Sequence, residues 1–318
     1  MTSTSEPYHV PVMLPEVIRA LEIRSDGLYV DFTAGGGSHS LAILDALGSG
    51  GRLIAGDRDA AAVQAATVRL SQSASRAAWQ VRHASFAQLA GDLIAEGVKA
   101  DGILADLGVS SHQLDTPERG YSYRSDGPLD MRMDQRQAET AASLVNTWTA
   151  DRLSDIFRRY GEERHATRIA GAIVRRRRER PFERTLELAE TVANAMPAAS
   201  RREAQHPARR VFQALRIAVN GELSELETLL DRLPLLLNRP GRVLIITFHS
   251  LEDRLVKQTM QTWQSPCRCP RGLPCTCGRK PLGAVIEKGG LTAADDEQQE
   301  NSRARSARLR IFEMREEH

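Results

Sequence analysis

Three aspartates, Asp31, Asp57 and Asp106, each close a short apolar run, and their surroundings define the chemistry to be expected. Asp31 ends Leu28-Tyr-Val and is followed, after Phe32-Thr-Ala34, by Gly35, Gly36 and Gly37. The spacing Gly35-x-Gly37-x-x-Ser40 nearly matches a dinucleotide fingerprint, with serine in place of the third glycine or alanine. A strand that turns through glycines into a helix lets a ligand lie against bare backbone at the helix N-terminus. Such a turn can also serve only to pack strand against helix. Asp57 adds weight: it stands twenty positions beyond Gly37, at the end of Arg52-Leu-Ile-Ala-Gly56, where a carboxylate can accept both hydroxyls of a ribose. A nucleoside is the expected ligand. Asp31 selects among nucleosides. Beside a pyrophosphate its charge would cost on the order of a kcal/mol or more, whereas S-adenosylmethionine carries a sulfonium and an ammonium and no phosphate. The plainer role for Asp31 is to cap a loop at the strand end.

Such a site needs a sheet whose strand carboxyl ends share one edge. Strands over Leu28–Phe32, Arg52–Gly56, Trp79–Arg82 and Ala100–Ala105 alternate with helices near Ser40–Leu47, Ala60–Leu70 and Ala87–Glu96. A short amphipathic helix, Glu16–Leu21, precedes them, with Pro15 at its start. This alternation predicts an α/β fold with a parallel, doubly wound, Rossmann-like sheet. Phe86, just after the third strand, either stacks on an adenine or belongs to the core.

After Asp106-Leu-Gly-Val-Ser-Ser-His-Gln113 the alternation stops. Asp115–Asp134 is rich in turns, and Ala138 to about Arg216 reads as helix throughout. Strand character returns at Arg242-Val-Leu-Ile-Ile-Thr-Phe248. A helical block between two strands of one sheet is best read as an insertion, so the expected division is 1–113, an inserted all-helical domain at 114–216, and 217–318. Eleven arginines and six acids lie between Asp151 and Arg184, including the run Arg175–Arg178, and Arg201, Arg202, Arg209, Arg210 and Arg216 continue the excess. The net charge of the chain is only +2, so attraction for a polyanion has to be local. A charge run is often a solvated helix face. Next to a nucleoside site the expectation shifts to an RNA or DNA face, with Tyr121 and Tyr123 available to stack on an unpaired base.

Val211–Leu237 reads as one long amphipathic helix before a turn at Arg239-Pro-Gly241. A helix to about Trp263 follows the fifth strand. All four cysteines fall in Cys267-x-Cys269 and Cys275-x-Cys277. Four thiolates could bind zinc, but this spacing is less standard than C-x-x-C, and reduced loop cysteines with no metal are expected. Ala293–Arg305 reads as a loop, and Ala307–Phe312 as a final, antiparallel strand. Met1–Tyr8 lacks the pattern of a signal peptide and no apolar run reaches membrane-spanning length, which predicts a cytoplasmic protein.

Several longer stretches resemble the RsmH (MraW) methyltransferases. They include His9-Val-Pro-Val12, Gly35–His39, Asp57-Arg-Asp59, Asp101–Ser111, Arg119-Gly-Tyr-Ser-Tyr123 and Gly127–Asp134. Tyr160-Gly-Glu-Glu163, Phe212–Ile217, Phe248–Arg254 and Arg303-Ala-Arg-Ser306 complete a resemblance that runs through nearly the whole chain. It implies N4 methylation of a cytosine in the decoding region of small-subunit (16S) ribosomal RNA, with S-adenosylmethionine as cofactor. The implied cofactor contacts are Gly37, Ser38, His39, Asp57, Phe86, Asp106 and Gln113, beside Gly35 of the glycine turn. Ser38 departs from the family's loop, which usually has a second glycine there. The oligomeric state is left open; a homodimer is compatible with the sequence.

The amine of cytosine is a poor nucleophile because its lone pair is delocalised into the ring. An acceptor that holds an N4 hydrogen out of the ring plane would restore lone-pair character as the methyl approaches. Better-known amino-methylating enzymes put an acid, asparagine or serine before Pro-Pro-aromatic at the end of strand four. Asp106-Leu-Gly-Val109 has the acid without the prolines or the aromatic, so Asp106 is a candidate catalytic acceptor or a cofactor contact only. Two rival classes share part of the pattern. A nicotinamide oxidoreductase would use the glycine turn and Asp57, and a non-enzymatic RNA-binding assembly factor would use only the basic insert.

Overall fold

The computed structural model describes residues 11–197, 206–270, 276–301 and 303–316. Met1–Tyr8, His9, Arg201, Arg202 and Cys275 lie outside the described residues. By contact density the chain divides into two compact units, Met1–Gly108 with Leu223–His318, and Val109–Glu222.

The first unit opens with α1 (Leu14–Leu21), β1 (Leu28–Asp31), α2 (Ser38–Ala46), β2 (Arg52–Asp57), α3 (Ala60–Leu70), β3 (Ala78–His83), α4 (Phe86–Ala95) and β4 (Ala100–Asp106). The second contains α5 (Ser111–Asp115), α6 (Ala141–Thr147), α7 (Ala150–Arg159), α8 (Ala166–Arg176), α9 (Thr185–Ala195) and α10 (Arg209–Asn220). The chain then returns through α11 (Glu222–Leu236) to β5 (Leu237–Thr247), α12 (Ser250–Gln264), β6 (Gly283–Val285), α13 (Asp295–Glu300) and β7 (Arg308–Met314).

The strands form one seven-stranded sheet in the order β3-β2-β1-β4-β5-β7-β6. β1 to β5 are mutually parallel, and β7 runs antiparallel to both β5 and β6. Side-chain alternation along the strands splits the core in two. Val30, Ile54, Ile103, Val243 and Ile245 face α4, α11 and α12, while Tyr29, Leu53, Leu104, Leu244 and Ile246 face α1 and α2. Both faces are thus covered by helices, as a doubly wound sheet requires. Asp59 and Ser85 start α3 and α4 by accepting from Ala61 N at 3.0 Å and Gln88 N at 3.3 Å.

The helical unit has its own core. Phe157, Ile169, Ile173, Leu188, Val211 and Leu215 are buried together with Met131 and Leu129 of the turn-rich segment. Its limits are Val109 and Glu222, against the expected 114 and 216. The physical reasons are local. Val109 and Leu114 pack on the helical core. At the far end α10 continues to Asn220, whose side chain accepts from Met133 N at 2.8 Å and donates to Met131 O at 2.7 Å.

Three expectations about elements are corrected. Val211–Leu237 is two helices, because Gly221 takes the left-handed conformation at φ 58° and ends α10. Arg239-Pro-Gly241 is not a turn: β5 begins at Leu237 and passes through it with a register shift opposite Ala100 and Gly102. Residues 295–300, read as loop, form α13. The edge strand β6, which pairs only with β7, was not anticipated. No helix of the described residues is long and apolar enough to cross a membrane.

Candidate cofactor site at the carboxyl edge of the sheet

Register brings the three aspartates together. Asp31 pairs with Ala55 on one side and Leu104 on the other, so Asp57 and Asp106 each stand two residues beyond its partners, on the same face. The three carboxylates therefore flank the turn that leaves β1.

That turn is closed by its own backbone and by Asp57. Ala34 N donates to Gly56 O at 2.9 Å, Gly37 N to Ala34 O at 2.7 Å, and Gly35 N to Asp57 Oδ2 at 2.9 Å. Gly35 and Gly37 have φ of 50° and 80°, a region that favours glycine. At Gly37 a Cβ would also approach Ala66 Cα to 2.9 Å, so this glycine lets α3 pack against the turn. Ser38, the first residue of α2, has its hydroxyl bound by the Arg69 guanidinium. The side chain that replaces the family's glycine is accommodated by turning towards α3.

Asp31 is fully buried and accepts from Ser40 Oγ at 2.6 Å, Thr33 N at 3.0 Å and Thr33 Oγ1 at 3.3 Å. It clamps the turn to the start of α2, which is the plainer of its two expected roles. Its charge still acts at a distance, since it helps to push up the pKa values of both Asp57 and Asp106.

Asp57 accepts Gly35 N with one oxygen and Asp59 N, at 2.9 Å, with the other. Each oxygen keeps a lone pair for a ligand hydroxyl. Burial outweighs these two bonds and, with the charges of Asp59 and Asp31, raises the Asp57 pKa to about 6.

Asp106 is positioned by its backbone, whose N–H donates to Thr33 Oγ1 at 2.6 Å. Its Oδ1 is buried without a hydrogen-bond partner among the described residues, and its Oδ2 lies 3.8 Å from His39 Nδ1. Burial first, then the charges of Asp31 and Glu252, push its pKa well above the carboxylate range, against a smaller pull from Arg303. His39 does not form an ion pair with it. Burial lowers the imidazole pKa to about 4, so the ring is neutral. Its Nε2 lies 3.1 Å from Val12 O, a group that can only accept, so Nε2 carries the hydrogen and Nδ1 is a bare acceptor facing Asp106. Once Asp106 is ionised, as a cationic ligand would favour, its carboxylate and the bare Nδ1 of His39 are two neighbouring acceptors suited to N–H groups of a ligand.

Phe86 begins α4, half-buried against the core. Gln113 belongs to the helical unit; it is buried at the third position of α5, where its Oε1 accepts from Ser110 N at 3.0 Å in a capping box. Residues missed in the sequence are Thr33 and Ser40, which hold Asp31 and Asp106, and Glu252 and Arg303, which act on Asp106 through charge. The polar side chains at positions 33 and 40, flanking the glycines, were the available signal for the first two.

The fit to a cofactor can be judged from these donors and acceptors. The amides of Gly35 and Gly37, which a pyrophosphate would need, are used inside the protein. What remains is a cluster of carboxylates at the strand ends with an orphaned oxygen on Asp106, suited to a nucleoside that carries positive charge.

Comparison with known proteins identifies the family of the chain. The family model of the MraW methylase family matches residues 6–315. A protein of Symbiobacterium thermophilum named ribosomal RNA small subunit methyltransferase H is 48% identical over 304 residues, covering 95% of each chain. Proteins of the same name from Carboxydothermus hydrogenoformans and Geobacter sp. are also 48% identical, over 96% of this chain and 97% and 98% of theirs. A family model that matches nearly the whole chain and relatives 48% identical over nearly its full length show that the chain belongs to the MraW methylase family.

Proposed function

We propose that the protein transfers a methyl group from S-adenosylmethionine to the N4 amine of a cytosine in the decoding region of 16S ribosomal RNA, within the small ribosomal subunit and in the cytoplasm. The observation that carries this reading is Asp106, an orphaned acceptor beside the bare Nδ1 of His39 at the end of β4. The names of the relatives supply the class of substrate. When bound, the cofactor provides an electrophilic methyl on a sulfonium. Asp57 would accept its ribose hydroxyls, with the turn at Gly35, Gly37 and Ser38 alongside, Phe86 against the adenine and Gln113 as a further contact. Asp106 would accept a hydrogen of N4, raising the nucleophilicity of the amine as the methyl is transferred. Its raised pKa fits a cationic ligand, because positive charge nearby favours the ionised form. The direct test is to incubate the protein with labelled S-adenosylmethionine and small subunits lacking modification, then map the methylated nucleoside. Label at another atom, or none, would refute the assignment.

Cofactor affinity should depend on pH through Asp57. The ribose needs the ionised carboxylate, so affinity should fall as pH drops below about 6, approaching about tenfold per unit. Calorimetry across pH in matched buffers reads this; a flat profile from pH 5 to 7 would count against Asp57 as the ribose acceptor. Stability of the ligand-free protein is a poorer reporter. Asp57, with its raised pKa, loses stability as pH rises from about 4 to 6, whereas His39, with its lowered pKa, gains stability as pH rises from about 4 to 6.5.

The helical unit would bind the RNA. The arginine run is not uniform. Arg177 donates to Val145 O and Trp148 O, both at 2.7 Å, and Arg176 lies over the Phe182 ring at 4.7 Å, so these two hold the unit together. Arg164, Arg168, Arg175 and Arg178 are exposed and form no guanidinium ion pair among the described residues, and Arg168 and Arg175, seven positions apart, lie on one face of α8. The triple substitution Arg168→Gln, Arg175→Gln and Arg178→Gln should weaken subunit binding and reduce its salt slope by about 2–3, with cofactor affinity unchanged. An unaltered salt slope would make this a solvated face.

A further inference from the structure

All the cysteines of the chain collect in one segment, between α12 and β6. Cysteine is among the most buried residue types, yet Cys267 and Cys277 are exposed and Cys269 is half-buried. At its ends the segment is tied by Leu282 N donating to Trp263 O at 2.9 Å and Val285 N to Gln264 Oε1 at 2.8 Å. Between those ties, residues 265–270 and 276–281 have no helix or strand and contribute nothing to the hydrophobic cores. A connection of this length without secondary structure needs another source of order or a function.

The three sulfurs supply one. The Sγ atoms of Cys267, Cys269 and Cys277 all lie within 4.8 Å of one another. Tetrahedral zinc with Zn–S of about 2.3 Å places its sulfurs about 3.8 Å apart, which small side-chain rotations would reach. The backbone N–H groups of Thr276 and Cys277 point at the sulfur of Cys269, and such donors stabilise a metal-bound thiolate. Arg268, Arg279 and Lys280 are neighbours in sequence and would offset the negative charge of a zinc–thiolate centre. The expectation of metal-free loop cysteines rested on their spacing along the chain, which says little about sulfurs brought together by a fold.

We propose that Cys267, Cys269 and Cys277 form a structural zinc site that orders the segment between α12 and β6. Three thiolates fill three corners of the tetrahedron and leave the fourth to a further donor. The site shares no residue with the aspartate cluster and is independent of the methyl-transfer reading.

The test uses the full-length protein purified under reducing conditions without chelator. Elemental analysis should find about one zinc per chain. Cys267→Ser with Cys277→Ser should bring it to background. Cobalt(II) in place of zinc should give thiolate-to-cobalt charge-transfer and tetrahedral d–d absorption, both lost in the double variant. Protein that takes up no zinc, carries iron instead, or keeps its zinc in the double variant overturns the proposal. A second measurement needs no variant: stripping zinc from the wild-type protein should speed tryptic cleavage after Arg268 and Arg279, and adding zinc back should restore protection. Cleavage at the same rate with and without zinc also overturns it.

Discussion

Asp106→Asn is expected to slow single-turnover methyl transfer to the small subunit about 10²–10³-fold at saturating S-adenosylmethionine. The substitution keeps the size of the side chain but replaces one acceptor oxygen with a donor. That donor would meet either the space where Oδ1 now lies unpartnered or the bare Nδ1 of His39, 3.8 Å from Oδ2. If Asp106 draws on the N4 hydrogen during transfer, the loss persists when the cofactor site is full, because the interaction exists mainly in the transition state. If Asp106 only holds the cofactor, saturation should recover most of the rate. A variant that binds weakly but transfers at nearly the wild-type rate would remove the catalytic role. Stability provides a control. A carboxylate whose pKa is raised in the folded state destabilises that state when ionised, so Asp106→Asn should unfold at the same denaturant concentration as wild type or a higher one at pH 8.

Asp57→Ala should weaken S-adenosylmethionine binding by about 1.5–3 kcal/mol, the cost of charge-assisted hydrogen bonds to a ribose. The variant also leaves Gly35 N and Asp59 N without their acceptor, so part of the loss could come from a loosened turn. Asp57→Asn separates the two effects. Its carbonyl oxygen can still hold one amide of the turn, but its charge is gone, so it should lose much of the affinity with less change in thermal unfolding. Full affinity in Asp57→Ala with an intact fold would take Asp57 out of the site.

The part of the fold legible in the sequence was the part built from local periodicity. The alternation from Leu28 to Asp106 places four strands and the glycine turn, since strand, turn and helix each leave their own pattern there. Gly221 was harder to read, because apolar positions continue at helical spacing on both sides of it. Short β6 has no signal of its own and exists by pairing with β7. In the site, Asp57 and Asp106 could be found from their positions at strand ends. Asp31 was expected to cap the loop after β1, but its partners could not be read, because they depend on which way the Ser40 and Thr33 hydroxyls turn. Nor could the division of labour among Arg175–Arg178, since helical phase and the nearby carbonyls of Val145 and Trp148 decide which guanidiniums face inward.

The insertion between β4 and β5 has a consequence for how the chain acquires its structure. Ala105 pairs with Ile245, so two central neighbours of the sheet are separated along the chain by the whole helical unit. During synthesis the first four strands emerge without β5, leaving one edge of β4 unpaired, while the helical unit that follows is contiguous and can form from short-range contacts. Once folded, that unit replaces a long flexible loop with a compact body, which lowers the entropic cost of bringing β5 back to β4. Substitutions that unfold the helical unit would then slow completion of the sheet and prolong exposure of the β4 edge, favouring aggregation even where the sheet residues themselves are untouched.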